Sequence, residues 1–249
     1  MSNRVSLEVC VASVEDAVAA EGGGADRIEL NCALDLGGLT PSLGLFTEVR
    51  RSVSLPIIAM VRPRQGGFCY SSTEFDVMRR DAEMLLAAGA DGLAFGILTA
   101  AGEIDVERNQ RLRELCSERE AVFHRAFDLT RDPYEAMGTL LAMNFKRLMT
   151  SGQEESAFEG IPLIAELIGM ADKRIEILPA AGITATNVKE LVLRTGCEQV
   201  HASSSIRWND PSVPIDRNAR FHSNEPVPET VFRKTDSEAV ARLCLMLNS

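Results

Sequence analysis

The chain has 249 residues, 45% of them hydrophobic, with 26 basic and 36 acidic side chains and a formal charge of −10 at neutral pH. That balance argues against nucleic acid and anionic membranes as partners, since both select a basic face, and leaves room only for a local basic pocket around a small anion. No apolar run nears the roughly 20 residues that span a bilayer, and MSNRVSLEVC carries no apolar signal core, so a cytoplasmic protein is expected.

Short apolar runs alternate with longer amphipathic ones along the whole chain. VSLEVC (5–10), DRIELN (26–31), PIIAMVR (56–62), DGLAFG (91–96), AVFHR (121–125), KRLMTS (146–151), RIEILPA (174–180) and EQVHAS (198–203) read as strands. The stretches between them carry helical periodicity and start signals. Thr40-Pro41 and Asp132-Pro133 place a cap residue before a proline, and Ser71-Ser72-Thr73-Glu74 has capping-box spacing. EGGGADRIEL, LAAGADGLAF and LRTGCEQVHA repeat a helix–glycine–strand unit. Eight strands alternating with helices predict an α/β fold, a (β/α)8 TIM-type barrel forming one domain over 1–249. An open doubly wound sheet is the alternative, but the first strand-to-helix turn, VCVASVED, lacks the glycine fingerprint of a dinucleotide site. Residues 206–234, with four prolines and the only tryptophan, read as a long loop after the eighth strand, lying over the top of the barrel. A last helix, 236–248, opens on Thr235-Asp236-Ser237-Glu238, again with capping-box spacing.

The chemistry-bearing residues gather at the C-terminal ends of the strands, where barrels of this kind keep their active sites. AVFHRAFDLT (121–130) is the clearest case. A strand buried on both faces reads as an unbroken apolar run, yet this one ends in His124, Arg125 and Asp128. Glu8 and Cys10 share a face of the first strand, and Glu29 and Asn31 share a face of the second. Arg62 and Arg64 end the third, and His201 the eighth. Converging on one mouth, Glu8, Glu29, His124, Asp128 and His201 would supply general acid–base groups, and Arg62, Arg64 and Arg125 would orient an anion. Thr-Ser-Gly with Ser151, Ala-Ala-Gly with Gly182, and His-Ala-Ser-Ser-Ser with Ser203 would form a phosphate cradle. A layer of internal salt bridges and ordinary turns would account for the same residues.

Six scattered cysteines without a C-x-x-C pair make neither a disulfide framework nor a zinc knuckle. Cys10 and Cys32 end neighbouring strands, about 4.8 Å apart, where two thiolates would suit Cu(I) and two core thiols would serve equally. No histidine pair has helix-face zinc spacing, and His222 reads as a solvated loop residue.

ADRIELN, GGLTPSLG, VRPRQGGFCYS, ADGLAFGILT, VFHRAFD, MTSG, AAGIT and VHASS occur in an order and spacing that resemble the CutC family, the copper homeostasis proteins, over residues 5 to about 205. The resemblance implies a cytosolic TIM-type barrel that forms homo-oligomers (dimers or tetramers) and takes part in copper tolerance. It also implies Cu(I) bound through cysteines at the ends of the first two strands, with no organic cofactor. Cys10 falls on the first of these positions. At the second, where relatives commonly carry cysteine, this chain has Asn31, with Cys32 one residue later; a one-residue shift along a strand turns a side chain to the opposite face. Gly67 stands where relatives usually carry aspartate. Two expectations follow: Cu(I) buffering or trafficking through Cys10 and Cys32, or an enzyme acting by acid–base chemistry on a small anionic metabolite.

Overall fold

The computed structural model describes residues 4–213 and 230–248. Eight parallel strands appear where the apolar runs predict them: β1 (Ser6–Val11), β2 (Arg27–Leu30), β3 (Ile57–Met60), β4 (Gly92–Phe95), β5 (Glu120–Phe123), β6 (Arg147–Thr150), β7 (Glu176–Pro179) and β8 (Gln199–Ala202). Consecutive strands pair from β1 to β7, and β8 pairs with β1 in the register Glu8 with His201. A single bridge between Ala180 and His201 brings β7 to β8 and closes the ring. The predicted barrel is therefore present, and no open sheet is formed.

Helices α1 (Val14–Gly22), α2 (Leu43–Ser52), α3 (Ser72–Ala87), α4 (Val106–Cys116), α5 (Pro133–Ala142), α6 (Ile161–Ala171), α7 (Val188–Thr195) and α8 (Ser237–Leu247) pack around it. The main core lies between strands and helices, where Phe46, Phe95, Phe123 and Phe145 are fully buried. A second cluster fills the barrel lumen from β3 to β7: Ile58, Met60, Ala94, Val122, Met149, Leu178 and Ala180. The lumen beside β1, β2 and β8 is polar instead, which sets up the site described below.

Local signals are honoured with two shifts. Ser71 and Glu74 form a reciprocal capping box, and Asp132 caps α5 with Pro133 in its first turn. At α2, however, the cap is Ser42, two residues beyond Thr40. The Thr40 hydroxyl accepts the backbone N–H of Arg62 instead, tying the second βα loop to the third. At α8 the cap is Asp236, which accepts from Glu238 and Ala239. The segment read as a loop over 206–234 begins and ends in strands, with 214–229 outside the described residues. Its ends pair as an antiparallel ribbon, β9 (Ser205–Asn209) with β10 (Val231–Thr235), setting Trp208 opposite Phe232. The ammonium of Lys234 sits 5.2 Å from the Trp208 ring and 5.5 Å from that of Phe232. The Thr235 N–H donates to Asp16 at 2.7 Å, anchoring the ribbon to α1. His222 lies outside the described residues.

Candidate functional site

A cavity of about 420 Å3 opens at the C-terminal ends of the strands. Its polar side is built by β1, β2 and β8. Alternation along β2 turns Arg27, Glu29 and the following Asn31 to one face. Pairing between β1 and β2 sets Cys10 beside Glu29, and pairing between β1 and β8 sets Glu8 beside His201.

These groups form one chain of contacts. Glu8 accepts from the Arg27 guanidinium through Oε2 and contacts His201 Nδ1 through Oε1 at 2.8 Å. His201 Nε2 lies 3.9 Å from Glu29 Oε2. Asn31 Nδ2 donates to that same Oε2 at 2.9 Å. Below the mouth, Arg27 continues to Gln199 and Gln199 to Glu176, each at 2.9 Å.

Burial and the neighbouring charges together set the protonation preferences. Burial would by itself raise the Glu8 carboxyl, but Arg27 and then His201 outweigh it, and Glu8 stays ionised far below the usual carboxylate range. Burial also opposes a charged His201, yet Glu29, Cys10 and Glu8 together lift it well above the ordinary imidazole value. Glu29 moves upward, through burial and despite the attraction of His201, with the charge of Glu8 adding to the rise.

The opposite side of the cavity is aromatic. His124 follows β5 and packs against Phe68, with ring centroids 5.0 Å apart, and edge-on to Phe123 at 6.2 Å. Gly96 makes room for it, since a Cβ there would stand 2.7 Å from His124 Nδ1. Burial, reinforced by the charge of Arg62, pushes His124 down to about 3, so the ring is neutral. Nδ1 accepts the N–H of Ala126 at 3.2 Å. That bond assigns the ring proton to Nε2, which is buried and has no protein partner.

Several predicted residues stand elsewhere. Glu8 lies beneath the cavity and acts on it through His201. Arg64 does not line it; its guanidinium pairs with Glu74, stacks on Tyr70 at 4.9 Å and braces the carbonyls of the β3–α3 loop. Asp128 is spent on the next loop, accepting from Thr150, Ser151 and Gln153 as well as Arg125. Ser151 is fully buried in that same network. Arg62 lines the cavity, yet its guanidinium also clamps Leu36, Gly38 and Gly66 carbonyls, and it lies over Phe68 at 5.1 Å. Arg125, Gly182 and Ser203 line the cavity as predicted.

The cysteines part company. Cys10 faces the cavity, whereas Cys32 has turned away and donates its thiol to the Thr40 carbonyl at 3.1 Å. The reason is the alternation that puts Asn31 into the mouth. A Cu(I) site made of this cysteine pair does not fit the arrangement.

Sequence reasoning missed Arg27, Phe68, Arg233, Lys234 and Thr235. Arg27 was readable, since Arg-x-Glu-x-Asn in β2 repeats with strand period. Arg233, Lys234 and Thr235 reach the mouth through β10, a placement set by pairing with β9 across a long stretch of chain.

A model of the CutC family matches residues 5–206. A CutC family protein of Treponema denticola is 47% identical over 209 residues, covering 84% of this chain and 85% of that protein. The copper homeostasis protein cutC homolog of Homo sapiens is 47% identical over 220 residues, covering 86% and 81%. A solved Streptococcus agalactiae structure, described as a CutC copper homeostasis protein, is 31% identical with a TM-score of 0.76, covering 79% of this chain and 97% of that one. The match spans all eight strands of the barrel, and on this ground the chain belongs to the CutC family.

Proposed function

We propose that this chain serves copper homeostasis, the role in the names of its relatives, and does so through proton-transfer chemistry on a small anionic metabolite in the barrel mouth. One observation carries this reading: two imidazoles in opposite surroundings face one cavity, His201 between the carboxylates of Glu8 and Glu29, which favour its charged form, and His124 against aromatic rings with Nε2–H unpartnered, where burial favours the neutral form. A cationic imidazole is a proton donor. Glu29, with its proton affinity raised by burial, is the group to exchange protons with it or with the ligand. A neutral imidazole held by its surroundings as an N–H donor polarises a carbonyl or carboxylate oxygen without giving up its proton. Arg125 and Arg233 at the rim supply the positive field that draws an anion into an otherwise acidic protein. The reaction class is proton transfer beside a polarised oxygen.

A second reading keeps direct Cu(I) binding. It is favoured by Cys10, Met60 and Met149, three sulfur-bearing side chains on the cavity, because soft donors select Cu(I). The two readings separate in an anaerobic Cu(I) titration against a competing chelator, paired with a thermal-shift screen of small carboxylates and phosphate esters. The acid–base reading expects the chelator to keep the copper, and at least one anion to raise the melting temperature of the native chain but not of His124→Phe. Stoichiometric Cu(I) binding that vanishes in Cys10→Ser, with no anion shifting the melt, overturns it.

A further inference from the structure

Three ligand atoms, one each from Glu8, Glu29 and His201, lie within 4.8 Å of one another in the buried wall of the mouth. Their hydrogen bonding is unequal. Both oxygens of Glu8 are engaged, one by Arg27 and one by His201 Nδ1. Glu29 has Oε2 held by Asn31, while Oε1 is buried and without a partner, on a residue only 3% exposed that lines the cavity. Asn31 Oδ1 is likewise buried and unpartnered. Among the described residues no lysine or arginine forms an ion pair with Glu29. A desolvated carboxylate oxygen without a donor is costly, and a cation bound by the same carboxylate offsets that cost.

We propose that Glu29 and His201 form a binding site for a divalent transition-metal ion of the Zn2+ class, with Glu8 orienting the imidazole. The Glu8–His201 contact occupies Nδ1 and leaves Nε2 turned toward Glu29, the carboxylate–histidine–metal arrangement that fixes the tautomer and ring angle of a ligating histidine. The 3.9 Å between His201 Nε2 and Glu29 Oε2 is close to the separation of two ligand atoms around one tetrahedral zinc, about 3.4 Å. Asn31 plays the same bracing part for the Glu29 carboxylate. Two protein ligands at the wall of an open cavity, one fewer than a catalytic zinc site commonly supplies, leave the remaining coordination positions to water or to an anionic ligand entering the mouth. Imidazole with carboxylate suits Zn2+ and its divalent neighbours, whereas Cu(I) prefers thiolate and thioether. On binding, the ion takes the place of the His201 Nε2 proton, which leaves to solvent. This site goes beyond the acid–base reading and draws on the same pair: with the ion bound, His201 and Glu29 are ligands, and the proton exchange between them belongs to the metal-free chain.

The test is calorimetric titration of metal-free protein with ZnCl2 alone, with Mn2+ and Mg2+ for comparison, together with anomalous diffraction at the zinc edge. The expected result is one Zn2+ per chain, with affinity falling at least tenfold in Glu29→Gln and in His201→Gln and staying within twofold in Cys32→Ser. The anomalous peak is expected between Glu29 and His201. Absence of binding overturns the proposal, as does full affinity in Glu29→Gln or a peak on Cys10 away from Glu29. Should His201→Gln fail to fold, the isosteric Glu29→Gln decides. Should both fail, the wild-type anomalous peak decides. Zinc bound at this position with no anion recognised leaves the site standing and removes the acid–base reading.

Discussion

The two sides of the barrel mouth use the same residue type to opposite ends. Along β1, β2 and β8 the lumen is ionic, and His201 sits between two carboxylates with a guanidinium behind them. Along β3 to β7 the lumen is apolar toward the mouth, and His124 sits against Phe68 and Phe123 with Arg62 nearby. Burial is nearly equal, at 9% and 3% exposed. The difference between a cationic and a neutral imidazole therefore comes from neighbours rather than from depth. Charge state at this site is a property of the wall, set by whether a glutamate stands within reach of the ring.

The hardest blow to that contrast is Glu8→Gln. It preserves shape but leaves Arg27 buried without its counter-charge and His201 with Glu29 alone. Breaking a buried pair from one side costs about 3–5 kcal/mol, to be read as a lowered urea midpoint at neutral pH.

The pH dependence sharpens the contrast next, because the two histidines act with opposite sign. His124 falls from 6.5 in the unfolded chain to about 3 in the folded one. Between those values the unfolded state binds a proton that the folded state refuses, so stability declines as pH drops through the window. His201 rises above 6.5; its contribution is complete below that value and is lost as pH climbs through the folded one. Unfolding free energies across pH should therefore lose the slope just below pH 6.5 in His124→Phe, with the more acid slope of Glu8 remaining, and their alkaline-side slope in His201→Gln. Unchanged profiles in both variants would show that the walls do not set the charges.

The smallest effect is at Gly96→Ala. The new methyl carbon meets His124 Nδ1 at 2.7 Å and the Ala126 Cβ at 3.0 Å, and overpacking of this kind costs about 1–3 kcal/mol. It should displace the aromatic wall while sparing the ionic one, visible in NMR as a shifted His124 ring and an unmoved His201.

Much of this was legible in the sequence. Buried parallel strands announce themselves as short apolar runs, so all eight were readable, and period-two alternation exposed Glu8 with Cys10 and Glu29 with Asn31 as inward pairs. The one-residue offset of Cys32 was readable for the same reason, and the thiol does turn away from the cavity. What could not be read was how polar side chains divide their hydrogen bonds. Nothing local distinguishes Arg62, on the cavity, from Arg64, two residues on and held by Glu74. Asp128 looked like a strand-end acid, yet three donors of the β6–α6 loop claim it. The pairing of β9 with β10 joins residues more than 20 positions apart, beyond the reach of any turn signal.

The bridge between Ala180 and His201 has one further consequence. Every other neighbouring pair of strands shares a run of registered residues, while β7 and β8 meet at this single point, which makes it the seam at which the ring opens most cheaply. Both residues also line the mouth. A molecule or ion lodged there touches both lips of the seam and acts as a clasp, favouring the closed ring over the parted one by as much as it prefers to bind it. Occupancy of the site and closure of the ring are thus linked in one equilibrium.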